Sequence, residues 1–318
     1  MPHPACSDSE FVKLFESLGA KDAATRLDVS ERSVYNRRRH IEGKLGRTLC
    51  APTEILRTNF PFEPTQAPGR IEWTVKNGSV LVASDCHYWP GIVSTAHRAL
   101  VKFTEDLKPV GVIMNGDILD GAAVSRHPSA WEERPSIAQE NECANERLDE
   151  VMAAAGRKCK LAWPLGNHDA RLELRIATVA PELAKMHGVH LKDHFNMRWE
   201  PCWSVWINDH TIVKHRYKGG IHATHNNAVS SGKTMVTGHL HSLKVTPYTD
   251  YNGDRWGVDT GTLADIYGPQ FQYIEDGPRN WRSGFAVLTF KDGELLQPEL
   301  VRVCGEGKVD FRGQVHAV

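Results

Sequence analysis

The sequence lacks the features that place a protein in a membrane or in an oxidising compartment. No apolar run approaches the roughly 20 residues that a transmembrane helix needs. The first eight residues contain no basic segment followed by an apolar stretch, so we expect no signal peptide. The seven cysteines are odd in number, widely separated and never spaced as C-x-x-C, which indicates free thiols rather than a disulfide framework. We therefore expect a cytoplasmic protein.

The sequence also lacks an excess of charge of either sign. There are 38 basic residues against 39 acidic ones, and the formal net charge is -1. A chain with this balance has no overall attraction to nucleic acid or to a membrane surface, so any such affinity has to come from a local patch. The 318 residues include 41% hydrophobic and 24% charged side chains, which are ordinary values for a globular protein of about two domains.

What the sequence does contain is five clusters of metal-ligand residues. Carboxylate and amide oxygens are mixed with imidazoles, and this mixture suits two divalent first-row metal ions that share a carboxylate. Each cluster follows a predicted strand, and the carboxyl ends of strands are where open α/β sheets hold ligands. In chain order the clusters are Asp85-Cys86-His87, Gly116-Asp117-Ile118-Leu119-Asp120, Gly166-Asn167-His168-Asp169, His215 alone, and Gly238-His239-Leu240-His241.

On these five motifs the chain resembles the calcineurin-like metallophosphoesterase family, over roughly residues 78–305. The resemblance implies an α/β fold, a two-sheet α/β/β/α sandwich, and hydrolysis of a phosphate ester by a hydroxide that bridges two divalent metal ions. We expect Mn²⁺, with Fe, Zn, Ni or Mg as alternatives. The implied ligands are Asp85, His87 and His241 for the first ion, Asp117 as the bridge, and Asn167, His215 and His239 for the second ion.

The resemblance also gives roles to residues that are not ligands. The histidine of the third motif, here His168, is expected to stand over the substrate and to stabilise charge or protonate the leaving oxygen. Asp169 is expected to fix the ring of His168. Cys86, between two ligands, is expected to be a buried small residue rather than a nucleophile.

Two departures from the family pattern stand out. The fourth motif is His215-Arg216 where the family commonly has His-Gly, and His222 and His225 lie close by in the sequence, so the fourth ligand stays open. We prefer His215 because it ends a predicted strand. Asp120-Gly121 and Asp169 also differ from the Asp-Arg-Gly and Glu of the serine/threonine phosphatases, which places the chain outside that branch.

The apolar patterns predict alternating strands and helices from residue 79 onward, and mainly strands after residue 205. The first strands, at 80–83, 110–114 and 159–163, are expected to be parallel because helices at 95–107 and 135–155 separate them. A further helix is predicted from about residue 170 to Met186. The later strands are hairpin-spaced and are expected to form the second sheet; they are 205–207, 211–214, 235–237, 244–249, 285–290 and 295–303.

Residues 1–50 are predicted to form a separate all-α unit that resembles a helix-turn-helix module. Helices are expected at 9–18, 20–27 and 31–41, with Asp28 in the turn and Ser30 as an N-cap. The segment 31–47 has six basic residues against two acidic ones, which fits a helix that enters a DNA groove. A packing or dimerisation module with a solvated arginine face is the alternative. The candidate DNA contacts are Arg32, Arg37, Arg38 and Arg39.

Residues 51–70 contain four prolines and are predicted to be a semi-rigid linker to a metallophosphoesterase domain at 71–318. Arg126, His127 and Trp131 follow the second motif in a loop that could roof the site. Aromatic and basic residues also follow the fifth motif, where they either stack the bases of single-stranded nucleic acid or pack a long loop. These residues are Tyr267, Phe271, Tyr273, Arg279, Trp281 and Arg282.

These features predict a phosphodiesterase or nuclease that acts on DNA, with a DNA reader that raises the local concentration of substrate. One alternative is a phosphomonoesterase or cyclic-nucleotide phosphodiesterase whose N-terminal unit serves assembly, so that the protein forms a homo-oligomer. A second alternative is a non-catalytic DNA-binding regulator, although the intact set of ligands argues against it.

Overall fold

The computed structural model describes residues 6–51, 69–125, 134–196 and 198–318. The chain divides into two compact units, Met1–Pro64 and Thr65–Val318. Nearly all of the predicted linker lies outside the described residues, and so do Arg126, His127 and Trp131. No helix in the described part of the chain combines the length and the apolar character needed to cross a bilayer. The cytoplasmic location stays a prediction.

The N-terminal unit consists of α1 (Asp8–Leu27) and α2 (Glu31–Leu45) around a small apolar core. Gly19 interrupts α1 with φ 79 and ψ 177, so the two helices that were predicted before the turn are two segments joined at this residue. Apolar side chains from both sides of Gly19 meet those of α2. The buried core side chains are Phe11, Phe15, Ala23, Ala24, Val34, Ile41, Leu49 and Ala51.

The turn between α1 and α2 has the predicted chemistry. Asp28 adopts the left-handed conformation with φ 52 and caps α1 through its backbone N–H. The hydroxyl of Ser30 accepts from the backbone N–H of Ser33 at 3.2 Å and so caps α2. The helix continues four residues past the predicted end, because Gly46, with φ 64, supplies the left-handed C-cap.

The larger unit contains four further described α-helices and fifteen described strands. The helices are α3 (Thr95–Leu107), α4 (Ile137–Ala155), α5 (Arg171–Val179) and α6 (Ala223–Ser231). The strands are β1 (Ile71–Trp73), β2 (Gly78–Ala83), β3 (Gly111–Met114), β4 (Lys160–Pro164), β5 (Glu200–Cys202), β6 (Val205–Ile207), β7 (Thr211–Val213), β8 (Thr234–Thr237), β9 (Lys244–Asp250), β10 (Gly253–Asp259), β11 (Gly284–Lys291), β12 (Glu294–Leu295), β13 (Glu299–Gly305), β14 (Lys308–Phe311) and β15 (Gln314–Ala317).

The strands form two sheets. The larger sheet has the order β15-β14-β13-β11-β2-β3-β4-β5, with β12 paired to β11, and the smaller sheet has the order β1-β6-β7-β8-β10-β9. Strands β2, β3, β4 and β5 are parallel neighbours, as predicted for the first three. Short 3₁₀ helices connect elements at Ala122–Val124, Pro181–Leu183, Leu191–Asp193 and Pro269–Ile274.

The two sheets pack face to face, and strand alternation decides which side chains lie between them. Val80 and Val82 of β2 point into the core shared with Val205 and Val236 of the smaller sheet. Their neighbour Leu81 points to the other face, where helices α3 and α4 cover it with apolar side chains that include Ala96, Leu100, Phe103, Ala144 and Leu148. The predicted two-sheet sandwich with external helices is therefore confirmed.

Several details of the prediction are wrong. Strands β11 and β13 were assigned to the second sheet, but β11 pairs antiparallel with β2 and so extends the first. Periodicity identifies a strand but not its partner, because both inner faces need the same alternation. The smaller sheet also contains parallel pairs, and β7 reaches β8 through α6, a helix that was not predicted.

Proline accounts for two further errors in the element boundaries. The helix that was predicted to reach Met186 ends at Val179, because Ala180 precedes Pro181 and leaves the helical region with ψ 59. Pro298 separates the single strand predicted at 295–303 into β12 and β13. The short strands β1, β5, β10, β14 and β15 were not predicted at all.

Candidate metal centre

The five motifs meet at the carboxyl ends of β2, β3, β4, β7 and β8. Backbone hydrogen bonds join one motif to the next: the N–H of Asp85 donates to Gly116 at 2.9 Å, and that of His87 donates to Asp117 at 3.0 Å. On the other side, the N–H of Gly238 donates to the carbonyl of His215 at 2.9 Å. The motifs, up to 156 residues apart in the sequence, thus form one continuous set of loops.

Most of the predicted ligands have an unusual backbone conformation. Five of the seven have φ between 41 and 73, where residues other than glycine are uncommon; they are Asp85, His87, Asp117, His239 and His241. Such a conformation costs on the order of 1–3 kcal/mol and persists only where the surrounding structure enforces it. The left-handed residue turns the chain sharply after each strand, and the side chains therefore converge on one point.

Three groups of donor atoms result, with the atoms in each group within 4.8 Å of one another. One donor atom from each of Asp85, His87 and His241 forms the first group, and Asp117, His215 and His239 form the second. The third group consists of His87, Asp120 and His168, and it shares His87 with the first. The Nε2 atom of His241 lies 3.1 Å from the carboxylate of Asp85, and that of His215 lies 3.1 Å from Asp117. The first two groups together contain six of the seven ligands that the family resemblance implies.

Several buried donor atoms of the predicted ligands have no hydrogen-bond partner in the described part of the chain. They are His87 Nε2, Asn167 Oδ1, His215 Nε2 and His241 Nδ1. A buried polar atom that lacks a partner costs about 1–3 kcal/mol, so four of them in one cluster indicate a site built for cations. Their mixture of imidazole, amide and carboxylate donors fits two divalent ions.

Hydrogen bonds on the far side of each imidazole fix its orientation. The Nδ1 atom of His87 lies 3.1 Å from the carboxylate of Asp120, and Nδ1 of His215 donates to the carbonyl of Asn115 at 2.7 Å. Both rings therefore present Nε2 to the centre, as metal-bound histidines generally do. Asp120 was not predicted to have a role, although its place three residues after Asp117 in the second motif could have indicated one.

The charged groups of the centre shift one another's pKa values. Burial opposes ionisation of Asp85, but the nearby imidazoles of His241 and His215 outweigh it and lower its pKa to about 2. Burial also opposes protonation of His215, yet the carboxylates of Asp117 and Asp85 raise its pKa to about 10. A bound cation has to displace the proton of His215, so metal affinity should increase as the pH rises.

Asp169 does not fix the ring of His168, and that prediction is wrong. Its buried carboxylate accepts from the backbone N–H of Asp117 at 3.0 Å and of Ile118 at 2.9 Å. It also accepts from Leu119 N at 3.3 Å, Gly166 N at 2.8 Å and Trp163 Nε1 at 3.0 Å. These bonds hold the loop that carries Asp117 against the loop of the third motif.

The ring of His168 is held instead by Asp120 and Arg171. Its Nδ1 donates to the carbonyl of Asp120 at 2.8 Å, and Nη2 of Arg171 donates to its Nε2 at 2.9 Å. Nε2 lies 3.8 Å from the carboxylate of Asp117, and the side chain stays 18% exposed. His168 therefore borders the donor groups at a position that a substrate can reach. Arg171, one helical turn after His168, was not predicted.

Two glycines are required by close approach of the chain. A Cβ at Gly166 would collide with the carboxylate and backbone nitrogen of Asp117. A Cβ at Gly238 would collide with the side chains of Ser84 and Asp85. Glycine before the ligands of the third and fifth motifs thus lets these loops reach the carboxylates of the first two.

Comparison with known proteins decides the family. The model of the calcineurin-like phosphoesterase family matches residues 78–268, which hold all five motifs. The chain belongs to the calcineurin-like phosphoesterase family. It is therefore a metallophosphoesterase, and the two donor groups support the binding of divalent metal ions.

Sequence identity to individual proteins is low. The Gene 54 protein of Mycobacterium phage L5 is 26% identical over 248 residues, which are 70% of this chain and 92% of that protein. Vps29 of Entamoeba histolytica in complex with Zn²⁺ is 14% identical with a TM-score of 0.39, over 76% of this chain and 97% of that one. A dimetal phosphatase from Danio rerio is 11% identical with a TM-score of 0.35, over 77% and 99%.

The alternative fourth ligands of this metallophosphoesterase lie elsewhere. His222 and His225 are exposed at the start of α6, and the ring of His225 lies 5.4 Å from that of Tyr248. Neither belongs to a donor group in the described part of the chain. His215, in contrast, is 2% exposed and lies beside Asp117.

Two of the four candidate DNA-contacting arginines are engaged within the N-terminal unit. Arg37 donates to the carbonyl of Cys6 at 2.6 Å and stacks on Phe11 at 4.8 Å. Arg38 donates to Glu42 at 2.8 Å and stacks on the ring of Phe15 at 4.9 Å. The side chains of Arg32 and Arg39 are exposed.

The residues after the fifth motif divide between packing and solvent. Phe271 is buried, with its ring 5.4 Å from His87 and 5.0 Å from Trp281, so it packs the loop against the metal centre. Tyr267 and Tyr273 are 80% and 70% exposed. The guanidinium of Arg279 lies 5.3 Å over the ring of Tyr267.

Two further residues near the predicted ligands have a structural role rather than a role in the chemistry. Cys86 is 2% exposed, and burial raises the pKa of its thiol well above the ordinary value, as suits a buried small residue rather than a nucleophile. Burial raises the pKa of Asp259 to about 6, and its carboxylate accepts from the N–H of Ser242, Leu243 and Gly261. Asp259 thus fixes the loop that carries His241.

Replacing His168 tests its role as a residue that faces the substrate. We expect His168→Ala to keep two metal ions per chain while turnover falls by about 10²–10⁴-fold, the range for a lost acid or charge stabiliser. Turnover of a chromogenic diester and metal content by elemental analysis are measured on the same samples. His225→Ala removes an exposed histidine and serves as the control. Loss of one metal equivalent in His168→Ala would make His168 a ligand and contradict this assignment.

Proposed function

We propose that this metallophosphoesterase is a dinuclear, Mn²⁺-dependent phosphodiesterase that cleaves DNA. The observation that carries the proposal is the pair of donor groups around Asp85 and Asp117, with four buried donor atoms that have no other partner among the described residues. Carboxylate and amide oxygens without any thiolate ligand support Mn²⁺ over softer metals. When bound, two such ions stabilise charge on the phosphoryl oxygens and lower the pKa of a water molecule.

The residues of the chain supply the remaining parts of the reaction. His168 keeps a proton on Nδ1, bound to the carbonyl of Asp120, while its Nε2 accepts from the guanidinium of Arg171 at 2.9 Å. To protonate the leaving oxygen, Nε2 has to carry a proton in place of the hydrogen bond from Arg171. The guanidinium of Arg171 beside Nε2 places a fixed positive charge where negative charge develops on that oxygen. Asp120 contacts both His87 and His168, and therefore fixes the ring of a predicted metal ligand relative to the ring of the proton donor.

The surroundings of His168 support a diester over a monoester. The ring of Tyr273 is 70% exposed and lies 6.4 Å from the ring of Phe271, which itself packs 5.4 Å from His87, so Tyr273 lies near the metal centre. Tyr267 and Arg279 lie near it in the chain and form a cation–π pair. Exposed rings and a cation beside the leaving oxygen suit a nucleoside as the leaving group, whereas a phosphate monoester with a small leaving group needs neither.

The N-terminal unit supports DNA as the substrate. Its two helices are joined by a capped turn, and Arg32 and Arg39 of α2 are exposed. Two free cations on one helix fit phosphate contacts, which supply most of the affinity in non-specific DNA binding. A DNA-binding unit on the same chain raises the concentration of DNA at the metal centre without adding any contact there.

The N-terminal unit also has features that favour the assembly alternative. Arg37 and Arg38 are occupied by partners within the unit, so only half of the candidate arginines are available to DNA. Exposed apolar side chains offer a surface for a second copy of the chain. They are Leu18, Val29, Tyr35 and Leu45, which are 38–51% exposed.

A substrate panel tests the diesterase proposal directly. Full-length protein with Mn²⁺ is offered single-stranded DNA, duplex DNA, RNA, bis(p-nitrophenyl) phosphate and p-nitrophenyl phosphate. We expect kcat/KM for the chromogenic diester to exceed that for the monoester by about tenfold or more, or ~1.4 kcal/mol in transition-state stabilisation. Faster turnover of the monoester would contradict the proposal and favour a phosphomonoesterase.

Replacing the exposed arginines tests the DNA-binding role of the N-terminal unit. We expect Arg32→Ser/Arg39→Ser to weaken duplex DNA binding and to flatten the plot of log K against log salt by about 1.8, since each lost phosphate contact contributes about 0.9. The control is Lys13→Ser/Lys21→Ser, which removes two exposed cations from α1. Unchanged affinity and salt slope, together with a lower oligomeric state in light scattering, would show that the unit serves assembly.

A further inference from the structure

An open groove lies next to the metal centre, and nothing in the proposed chemistry accounts for it. The groove encloses about 520 Å³, and its lining includes Ile221, Leu240, Lys244, Trp281 and Arg282. We propose that this groove binds the single-stranded polynucleotide that continues from the scissile phosphate. The proposal rests on the diesterase function above and names where the rest of the strand lies.

The wall of the groove is attached to the metal ligands. Leu240 stands between the ligands His239 and His241 in the fifth motif. The ring of Trp281 lies 4.6 Å from the ring of His241, and the backbone N–H of Arg282 donates to the carbonyl of His241 at 2.8 Å. A phosphate held at the donor groups therefore has the groove as its immediate neighbour.

The charge of the groove suits a polyanion. Its charged lining residues are Lys244, Arg282 and Arg302, and no carboxylate is among the residues that line it in the described part of the chain. Arg302 is paired with Asp310 at 2.7 Å, which leaves the other two to act as phosphate contacts. Lys244 and Arg282 are exposed, and among the described residues their side chains donate only to the backbone carbonyls of Ile221 and Trp281. Two such cations form a local positive patch on a chain whose net charge is -1.

The apolar lining suits unpaired bases. Ile221 is 79% exposed, which is unusual for a large aliphatic side chain, and it lies in the same groove as the ring of Trp281. Aromatic and apolar side chains that alternate with cations are the arrangement by which proteins bind single strands, because each base stacks while its phosphate is neutralised. In a duplex the bases are paired in the interior and cannot reach these side chains.

Binding of a short single strand tests the groove. The groove variant Lys244→Ser/Arg282→Ser and the control Lys76→Ser/Lys291→Ser are made in the Arg32→Ser/Arg39→Ser background, so that the N-terminal unit adds little to binding. The control removes two exposed lysines at the opposite end of the larger sheet, near the start of β2 and the end of β11. The probe is a fluorescein-labelled phosphorothioate oligonucleotide of twelve thymidines, measured by anisotropy with full-length protein in Mn²⁺.

We expect the groove variant to bind the oligonucleotide about tenfold or more weakly than the control, with a salt slope smaller by about 1.4, since each contact to a single strand contributes about 0.7. The single variant Lys244→Glu, which changes one exposed side chain, should also weaken binding of the oligonucleotide. Binding equal to that of the control would overturn the groove proposal, whatever the activity.

Activity distinguishes failure of this proposal from failure of the proposed function. If the wild-type protein hydrolyses the chromogenic diester but the groove variant binds the oligonucleotide as the control does, the groove proposal is wrong and the diesterase stands. If the groove variant binds weakly but the wild-type protein hydrolyses no diester, the groove stands as a strand-binding site and the diesterase is wrong. An equal loss of affinity for a duplex of the same length would overturn the assignment to single strands.

Discussion

Asp169 accepts hydrogen bonds from five donors, and through them two loops of the metal centre are held in one arrangement. A carboxylate offers about four lone-pair positions, so the acceptor capacity of this buried group is fully used. The bonds to the N–H groups of Asp117 and its two successors keep Asp117 in a left-handed conformation that aspartate would otherwise avoid. The position of the Asp117 carboxylate, the predicted bridge, thus depends on a residue that is not itself a predicted ligand.

Other groups around the centre also position predicted ligands without being ligands themselves. Asp120 orients the rings of His87 and His168, Asn115 orients His215, and Asp259 fixes the loop of His241. Each of these groups uses a carboxylate or carbonyl oxygen to position a predicted ligand. Two divalent cations would satisfy the buried donor atoms that have no partner among the described residues.

The sequence predicted the residues that meet at the centre better than the residues that hold them in place. Asp85, Asp117 and His239 are recognisable because their residue type and their place after predicted strands can both be read from the sequence. The role of Asp169 was not, because a sequence shows a carboxylate but not where its oxygens point. Likewise the arginines of α2 appeared to need an external partner, whereas Arg37 binds Cys6 and Asp8, 31 and 29 residues earlier in the chain. Strand β11 was found by its pattern, but its pairing with β2 depends on tertiary contacts.

The number of metal ions tests the central claim most directly. Chelator-stripped wild-type protein titrated with Mn²⁺ at pH 7.5 should take up two ions per chain, as measured by calorimetry and elemental analysis. Asp117→Asn should lose the bridge and nearly all turnover, because an amide does not neutralise two cations. Asp292→Asn, an exposed and left-handed aspartate at the far end of β11, should behave as the wild type. A single ion in the wild type, or more than about a tenth of the wild-type turnover in Asp117→Asn with saturating Mn²⁺, would contradict a dinuclear centre bridged by Asp117.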